Sequence, residues 1–385
     1  MRVLIAGAGV AGPATAIALH KAGIASVLYE GRPEDTTEAG AFVTIAANGQ
    51  DALHAIDAHG PVLDASFPAS RLMIFDPAGT EVADIPLDRN QPGPRTITRS
   101  LLTSVLRREA AARGVPVIYG KRLTGAARSG ASGQPGAGVR VSFADGSHAD
   151  GDVLVGADGI HSLVRTAIDP AAPDLRYTGL MIACGYADTA IADPDCYHMI
   201  HGSQAFLGHT TGPDGRAWWF ARVPGPELTQ QDLAAPAAWW RDRLADAFAA
   251  DRTPAAALIR TTSAPITVTS AYDIPALPTW RSDAMTVIGD AAHAASPSTA
   301  QGASMALEDA VVLAQCLRDM PAVPDALALF EKLRRDRVER IVAAGVGTGN
   351  PAPQKPSSGP RRGNPTQWLF GHHIDWDTSV AGTGS

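Results

Sequence analysis

The chain has 385 residues, of which 45% are hydrophobic and 18% are charged, so it is long enough for a large core and more than one domain. A formal net charge of −7 argues against nucleic acid as the main partner, and no apolar run reaches the ~18 residues that a membrane span needs. The three cysteines are widely spaced and form neither a metal-ligand pattern nor a disulfide framework, which predicts a cytoplasmic protein without a metal site.

The chain begins with a dinucleotide-binding pattern. A short, uncharged apolar run over residues 3–6 is followed by a glycine turn, a helix that ends near Gly23 and a second strand that ends at Glu30. The turn has the pattern Gly-x-Gly-x-x-Gly and includes Gly7, Gly9, Val10, Ala11 and Gly12. A strand, a glycine turn, a helix, a strand and an acid, in this order, form the βαβ unit that binds a dinucleotide.

The residue types of this unit have physical reasons. Gly7 lets the chain turn tightly, Gly9 leaves room for a pyrophosphate, and Gly12 lets the helix pack closely on the strand. The free N–H groups at the start of the helix attract phosphate. Glu30 is placed to accept hydrogen bonds from ribose hydroxyls, and Arg32 lies in the loop that follows. A 2′-phosphate at ~4 Å from Glu30 would cost on the order of 1–4 kcal/mol, so we expect FAD or NAD rather than NADP.

The character of the sequence changes further along the chain. From residue 171 to residue 279, short strand-like runs dominate, with a helix predicted over 236–250, which indicates a second domain built on a sheet. The basic run 332–337 alternates with acids, which predicts a solvated helix face. Residues 345–366 are rich in Gly, Pro and Ser and favour a flexible loop. The apolar patch 368–370 is then expected to dock on the body of the protein.

Two further motifs follow predicted buried strands. The first is Gly156-Ala157-Asp158-Gly159. The second is Gly289-Asp290, followed by Pro297 and then by Gln301-Gly302-Ala303-Ser304. With these motifs in this order, the sequence resembles the single-component FAD-dependent aromatic-ring monooxygenases, the family that includes para-hydroxybenzoate hydroxylase. The resemblance extends over roughly residues 1–345.

The resemblance implies an α/β fold with a Rossmann-like FAD-binding domain, an inserted, sheet-based substrate domain and C-terminal helices. The FAD-binding domain would be discontinuous, because the substrate domain interrupts it twice. The implied boundaries are residues 1–70, 95–170 and 280–345 for the FAD-binding domain, 71–94 and 171–279 for the substrate domain, and 346–385 for a flexible loop and docking tail.

The chemistry of the residues agrees with this resemblance. Asp290 ends a buried strand, so its carboxylate can accept hydrogen bonds from ribitol hydroxyls. The free N–H groups over 301–304 can face the pyrimidine oxygen of a flavin, where negative charge grows on reduction. The resemblance places Asp158 in the flavin and nicotinamide region and Pro297 beside the ring. It also implies contacts with the FAD phosphates, the flavin chain and the adenine for Arg99, Thr44 and Leu123.

The implied reaction needs no protein nucleophile, so we assign no catalytic side chain. NADH or NADPH reduces FAD, O₂ adds at flavin C4a, and the resulting hydroperoxide hydroxylates or epoxidises an electron-rich aromatic substrate. The protein must orient the substrate and exclude water. No second glycine motif is present, which fits a nicotinamide donor that visits transiently. The sequence leaves open NADH against NADPH, hydroxylation against epoxidation or Baeyer–Villiger oxidation, and the oligomeric state.

The substrate is expected between the two domains. Trp218, Phe220 and Arg222 alternate on a predicted strand, so they share one face. The resemblance places substrate contacts on the face with Trp218 and Phe220; the alternative is that these aromatic residues form the core of the sheet. Gln204 lies where relatives can carry a charged substrate-binding residue. An aromatic, weakly charged wall favours a larger apolar aromatic substrate, such as a polyketide or an alkaloid of secondary metabolism.

Three other functions compete with this one. A flavin-dependent halogenase shares the FAD motifs, but the run 218–224 resembles its tryptophan motif only superficially. An NAD-dependent dehydrogenase would explain the glycine turn but neither Asp158 nor Asp290. A flavin-binding protein without catalysis is the third. The sequence also departs from the family at Ala300, where relatives often have glycine, and a methyl group there narrows the approach to the flavin or shifts the loop.

Overall fold

The computed structural model describes residues 1–34, 41–89, 91–129, 138–189, 193–274, 276–345 and 367–382. The strands of these ranges are β1 Arg2–Ala6, β2 Ala25–Tyr29, β3 Phe42–Ile45, β4 Phe67–Pro68, β5 Arg71–Phe75, β6 Glu81–Pro86, β7 Arg95–Thr98, β8 Val117–Ile118, β9 Leu123–Ser129, β10 Gly138–Phe143, β11 His148–Gly151, β12 Val153–Gly156, β13 Arg176–Ala187, β14 Cys196–His201, β15 Phe206–Thr211, β16 Ala217–Pro224, β17 Thr267–Asp273 and β18 Met285–Val287. The helices are α1 Ala11–Lys21, α2 Ala47–Ala55, α3 His59–Asp64, α4 Arg99–Ala112, α5 Leu163–Ile168, α6 Gln230–Leu233, α7 Ala237–Asp246, α8 Ala255–Arg260, α9 Asp290–His293, α10 Gly302–Asp319, α11 Val323–Gly345 and α12 Gln367–Phe370, with a 3-10 turn at Pro297–Thr299.

A parallel sheet with the strand order β18-β12-β1-β2-β8 lies at the centre of the first core. Its strands are short apolar runs, and β12 and β18 are buried along their whole length, as expected for a sheet covered on both faces. The N–H of Ala157 donates to Ala6 O at 2.8 Å, and the N–H of Ile288 donates to Gly156 O at 3.0 Å. The three motifs of the sequence therefore meet at the carboxyl edge of this sheet.

The glycine turn at this edge tolerates no side chain at two positions. Gly7 has a φ of +99°, and a Cβ on it would lie 2.3 Å from the carbonyl oxygen of Ala157. A Cβ on Gly12 would lie 1.9 Å from the carbonyl oxygen of Gly7. The turn and the start of α1 can be this close to each other, and to the neighbouring motif, only because these residues are glycine.

A mixed sheet with the order β17-β13-β16-β15-β14-β5-β6 carries the second hydrophobic core. Alternation along β16 divides its residues between two faces. We call the face with Trp219 the outer face, because Trp219 packs there in one hydrophobic cluster with α7 and α8. The indole N–H of Trp219 donates to Thr262 Oγ1 at 2.9 Å, so this buried polar atom is satisfied.

The opposite face, which we call the inner face, carries Trp218 and Phe220 and lies toward β3. The ring of Phe42 on β3 is 5.8 Å from that of Trp218 and 6.0 Å from that of Phe220, measured between centroids. Phe67 on β4 adds an edge-on contact with Trp218 at 5.2 Å. Aromatic packing therefore joins the inner face to the small sheet β3-β7-β4.

The C-terminal helices and the last described segment close the first core. Gln315 on α10 donates to Asp375 O at 2.8 Å, and Arg337 on α11 donates to Trp368 O at 2.7 Å. The guanidinium of Arg340 lies 3.9 Å from the ring centroid of Trp368. Residues 367–382 thus pack on α10 and α11, whereas the Gly/Pro/Ser-rich loop predicted before them lies outside the described residues. Among the helices of the described ranges, none has both the length and the apolar character that a membrane crossing requires.

Candidate active site

Glu30 is fixed beside the glycine turn. Its Oε2 accepts a hydrogen bond from the N–H of Ala8 at 2.9 Å, and its Oε1 accepts one from the N–H of Arg32 at 2.9 Å. Arg107 on α4 donates through Nε to Ala8 O at 2.6 Å and lies 3.5 Å from Glu30 Oε2. Each carboxylate oxygen keeps further acceptor capacity for a hydroxyl group. No sequence motif indicated Arg107, because only the fold brings α4 to the turn.

Further predicted residues lie around this end of the site. The N–H of Lys121 donates to Glu30 O at 2.7 Å. Half-buried Leu123 follows two residues later, at the start of β9. The side chain of Arg32 is exposed. Apart from Gly9 itself and its two neighbours in the chain, no heavy atom of the described residues lies within 4 Å of the place where a Cβ of Gly9 would be. The structure therefore brings Glu30, Arg32 and Leu123 together beside open space at the turn.

Asp158 is turned toward α5. Its Oδ2 accepts hydrogen bonds from the N–H groups of Leu163 at 2.8 Å and Val164 at 3.1 Å. Burial raises the pKa of this carboxyl group, against the hydrogen bonds that favour its charged form. Its Oδ1 is buried and has no partner within the described ranges. One oxygen of Asp158 thus stabilises the start of a helix, and its contact with flavin or nicotinamide stays a prediction.

Asp290 presents a carboxylate at the carboxyl end of β18. It is the first residue of α9, it is exposed, and its side chain makes no hydrogen bond or ion pair with the described part of the chain. The preceding Gly289 adopts a φ of +58°, and its N–H donates to Asp309 Oδ2 at 2.9 Å. The backbone before Asp290 is therefore held in place while the carboxylate stays available for a ligand.

A buried ion network lies behind Asp290. Asp309 accepts hydrogen bonds from His293 Nε2 at 2.5 Å and from Arg334 Nε at 2.7 Å. Arg334 also lies 2.7 Å from Glu308, and its side chain is 1% exposed. Burial alone would raise the pKa of Asp309, but His293 and Arg334 hold it well below its usual range. The prediction that 332–337 is a solvated face was wrong for Arg334, because the acids on α10 compensate its buried charge.

Glu308 connects this network to α2. It accepts hydrogen bonds from Arg337 Nη2 at 2.7 Å and from Asn48 Nδ2 at 2.6 Å. Burial opposes its ionisation, but the charges of Arg334 and Arg337 lower its pKa to about 2. Asn48 also donates to Gln301 Oε1 at 2.9 Å. The sequence contained one sign of this network, an acid pair within the otherwise apolar run 305–314, and the sequence-based prediction missed it.

The segment 301–304 begins α10 at the same place. Gln301 and Ser304 are fully buried, and Ser304 Oγ accepts a hydrogen bond from the N–H of Ala46 at 3.3 Å. The amide Nε2 of Gln301 is buried without a partner in the described chain. Within these ranges, no side chain caps α10, so Gly302 and Ala303 start an uncapped helix of 18 residues. Its N-terminus carries partial positive charge that suits an electron-rich oxygen.

Ala300 and the Pro297 turn precede this helix. Ala300 is exposed and has a φ of +51°, in the left-handed region that favours glycine. For an L-residue this conformation costs roughly 1–2 kcal/mol. The departure from glycine that the sequence shows at this position is therefore a strained one. Pro297 begins the 3-10 turn that leads into it.

Thr44 lies where β3 meets the inner face. Its Oγ1 is 3.5 Å from the hydroxyl of Tyr197 on β14, which also hydrogen-bonds to Thr96. Burial raises the pKa of Tyr197, so its phenol stays protonated at neutral pH. Arg99 begins α4, its side chain is exposed, and the hydroxyl of Thr98 caps the helix. Tyr197 was not predicted, because its nearness to Thr44 depends on the packing of the two sheets.

The three predicted substrate residues have different surroundings. Trp218 is 8% exposed, and its indole N–H donates to Asp214 Oδ1 at 3.1 Å, so it is built into the junction of the sheets. Phe220 is half-buried beside Phe42. Gln204 is exposed in the turn between β14 and β15, six residues before Thr210, the register partner of Trp218, which is roughly 20 Å of extended chain. The structure therefore groups Trp218 with Phe220 and leaves Gln204 apart from Trp218.

These features fit FAD. The turn has room at Gly9 for a diphosphate, Asp290 is free for a polyol chain, and the uncapped α10 with the unpartnered amide of Gln301 suits a ring that accepts and donates hydrogen bonds. No group of three or more His, Cys, Asp or Glu side chains in the described ranges has the arrangement of a metal site. The edge of the parallel sheet thus defines an α/β protein that binds an extended dinucleotide.

Comparison with known proteins identifies the family within this class. Residues 1–344 match the family model of an FAD binding domain, and the chain belongs to this family. Aurachin C monooxygenase/isomerase of Stigmatella aurantiaca is 31% identical, covering 91% of this chain and 89% of its own. The FAD-dependent urate hydroxylase of Klebsiella oxytoca is 28% identical, covering 89% and 88%. The crystal structure of Klebsiella pneumoniae HpxO with FAD and uric acid superposes with a TM-score of 0.81 at 27% identity, covering 91% and 88%.

These comparisons confirm three predictions from the sequence. The α/β fold class, the family of FAD-dependent monooxygenases and FAD as the cofactor are all borne out. The chain is therefore an FAD-dependent oxidoreductase. The individual contacts of the predicted site residues with FAD and substrate stay predictions.

Proposed function

We propose that this chain is a monooxygenase that uses NADH or NADPH and O₂ to hydroxylate or epoxidise an electron-rich aromatic substrate. The observation that carries the proposal is the junction of the two sheets, where Thr44 and Phe42 of β3 meet the aromatic inner face. An aromatic ring held there would lie beside the part of the site suited to a flavin. The relatives support this reading, since their names describe monooxygenases and hydroxylases.

FAD would lie along the carboxyl edge of the parallel sheet, and when bound it supplies the electron-transfer and oxygen-activation chemistry. Gly7, Gly9, Gly12 and Glu30 would hold its adenosine and diphosphate end. Asp290 would bind the ribitol chain. The remaining contacts that we propose are Val10, Ala11, Arg32, Thr44, Arg99, Leu123, Asp158, Pro297, Gln301, Gly302, Ala303 and Ser304.

The chain's own residues bind, orient and shield the reactants. The N-terminus of α10 would stabilise negative charge on the cofactor ring, because its first N–H groups carry partial positive charge. The rings of Phe42, Trp218 and Phe220 would exclude water and stack against the substrate. Tyr197, held in its protonated form, would keep β14 fixed against Thr44.

The proposal includes a division of labour within the chain. Residues 1–70, 95–170 and 280–345 would hold FAD, residues 71–94 and 171–279 would hold the substrate, and residues 346–385 would form the loop and docking tail. The three cysteines are buried free thiols, which supports a reducing, cytoplasmic location.

The test begins with the absorption spectrum of the purified protein and with its oxidation of NADH and NADPH. We expect a flavin spectrum and consumption of reductant and O₂ that an aromatic substrate stimulates, with an oxygenated product. Free FAD at the same concentration is the control. A colourless protein that FAD does not reconstitute would overturn the proposal. So would a flavoprotein that forms no oxygenated product from small benzoates, naphthols or larger polycyclic phenols.

A further inference from the structure

The inner face carries one charged residue whose partner is missing from the described chain. Arg222 lies on β16, two residues after Phe220 on the same face, and is half-buried. Its guanidinium lies 3.9 Å from the ring centroid of Phe206. It makes no hydrogen bond or ion pair with any residue of the described ranges. A guanidinium stacked on a ring in this way keeps its N–H edges free to donate.

Other partly or fully buried arginines of this protein are satisfied. Arg334 pairs with two acids, Arg337 pairs with Glu308, and Arg165 donates to the carbonyl oxygens of Ala291 and Ile160. Burial lowers the pKa of Arg222 to about 10, so its side chain is still charged at neutral pH. A partly desolvated charge without a partner is unfavourable to folding. A ligand that supplies the missing partner would explain why the inner face carries this unpaired charge.

The position of Arg222 indicates which ligand this is. Phe206 pairs with Arg222 and Gly208 pairs with Phe220, so the backbone of Arg222 lies two residues, roughly 7 Å, further along β16 than that of Phe220, whose ring contacts Phe42. That distance suits a substituent on a substrate ring stacked at Phe220.

We propose that Arg222 binds an anionic oxygen group of the aromatic substrate, either a carboxylate or an ionised enol. The planar fork of a guanidinium matches two oxygens of such a group and forms short, charge-assisted hydrogen bonds. This inference rests on the proposed function and narrows it, because the apolar substrate expected from the sequence becomes an aromatic acid. Arg222 then determines specificity and orients the ring without taking part in oxygen transfer.

The test measures binding to the FAD-loaded protein by the change in flavin absorbance, which needs no turnover. The first pair of probes is 1-hydroxy-2-naphthoate and its uncharged carboxamide. The second pair is 2-hydroxy-1,4-naphthoquinone, which is ionised at neutral pH, and its 2-methoxy ether. Comparing the two pairs distinguishes a carboxylate from an enolate. The variants are Arg222→Gln and Arg222→Lys, with Arg260→Gln on α8 as a matched surface control.

In wild type and Arg260→Gln we expect the anionic member of at least one pair to bind about 10-fold or more tightly than the neutral one. In Arg222→Gln the two members should bind within about 2-fold of each other, with the FAD content unchanged. Arg222→Lys should keep part of the preference, because it keeps the charge but loses the fork. The ligand-free Arg222→Met variant should melt at the wild-type temperature or about 1–2 °C above it, since it removes an unpaired charge.

Three results would overturn the inference. One is a wild-type protein that shows no preference for either anion, including no measurable binding of any probe. Another is an Arg222→Gln variant that keeps the wild-type preference. If Arg222→Met then also melts several degrees lower than wild type, Arg222 contributes to the stability of the sheet instead. A protein that oxidises NADH or NADPH in response to neutral aromatic probes alone refutes this inference and leaves the proposed function standing. A protein that cannot bind FAD refutes the proposed function instead.

Discussion

Two arginines in different regions of the molecule, Arg334 on α11 and Arg222 on the mixed sheet, have opposite surroundings. Behind the glycine turn, Glu308 and Asp309 on α10 face Arg334 on α11, and each of these charges is matched. On the mixed sheet, Arg222 of the inner face has no counter-ion in the described chain. His209 of the outer face is buried with neither ring nitrogen bonded to a described residue.

The difference indicates that the two regions have different roles, one in holding a cofactor and the other in binding a ligand. Matched charges fix the backbone at Gly289 and α10, where a cofactor must find a preformed site. An unmatched cation on the inner face costs stability and gains a partner only when a ligand arrives. Removing the charge of Arg334 should therefore be destabilising, whereas removing the charge of Arg222 should be nearly neutral.

Breaking the matched network should give the largest effect. Arg334→Met would leave Glu308 and Asp309 buried without their shared cation, which should lower the free energy of unfolding by about 3–5 kcal/mol. Urea unfolding of the FAD-free protein, followed by tryptophan fluorescence, measures this change. Arg140→Met, which removes an exposed ion pair with Asp150, is the control and should leave the midpoint almost unchanged. Equal losses in the two variants would contradict the comparison.

The second test concerns the unpaired carboxylate of the cofactor half. Asp290→Ala should weaken FAD binding by roughly 10- to 100-fold, because hydrogen bonds from hydroxyl groups to a charged acceptor would be lost. Titration of the FAD-free protein with FAD, followed by flavin fluorescence, measures the affinity. Asp242→Ala, on the exposed side of α7, should bind FAD as the wild type does. Wild-type affinity in Asp290→Ala would remove this carboxylate from the site.

A third test uses the pH dependence of stability. Burial lowers the pKa of His209 from 6.5 to about 3, with a smaller contribution from His198. As the pH falls below 6.5, the unfolded chain binds a proton at this residue and the folded chain does not. His209 therefore contributes stability that is fully present above pH 6.5 and is lost at about 1.4 kcal/mol per pH unit toward pH 3.

The variant His209→Leu should remove this slope. Urea unfolding between pH 7.5 and pH 5, in steps of about half a unit, compares wild type with the variant, and the difference between their slopes isolates His209 from other groups. His148→Gln changes an exposed histidine on β11 and should keep the wild-type slope. A His209→Leu slope equal to that of wild type would show that the histidine is charged or solvated in the folded protein.

Much of the cofactor half could be predicted from sequence because its signals are local. Buried apolar runs that end in glycine indicated parallel strands, and the carboxyl ends of such strands meet at one edge. The motifs at Gly7, Asp158 and Asp290 therefore converge as a consequence of topology. The family and its cofactor followed from the order of these motifs, and the comparisons confirm both.

The contacts between distant elements could not be predicted in this way. Arg334 lies within a run whose alternating charges are typical of a solvated helix, and its burial depends on the acids of another helix. The unpaired state of Arg222 likewise depends on how β16 lies between β13 and β15. Strand alternation placed Arg222 on the same face as Trp218 and Phe220, but a sequence cannot show which charges lack a partner.

The smallest expected effect concerns strain at Ala300, which lies between the 3-10 turn and α10. Its φ of +51° is unfavourable for alanine, so Ala300→Gly should raise the free energy of unfolding by about 0.5–1 kcal/mol. Ala111→Gly, on an exposed turn of α4, should lower it by about 1 kcal/mol. Urea unfolding of the two variants gives both values. If Ala300→Gly is destabilising like Ala111→Gly, the loop does not hold this residue in the left-handed region, and the path into α10 differs from the one described.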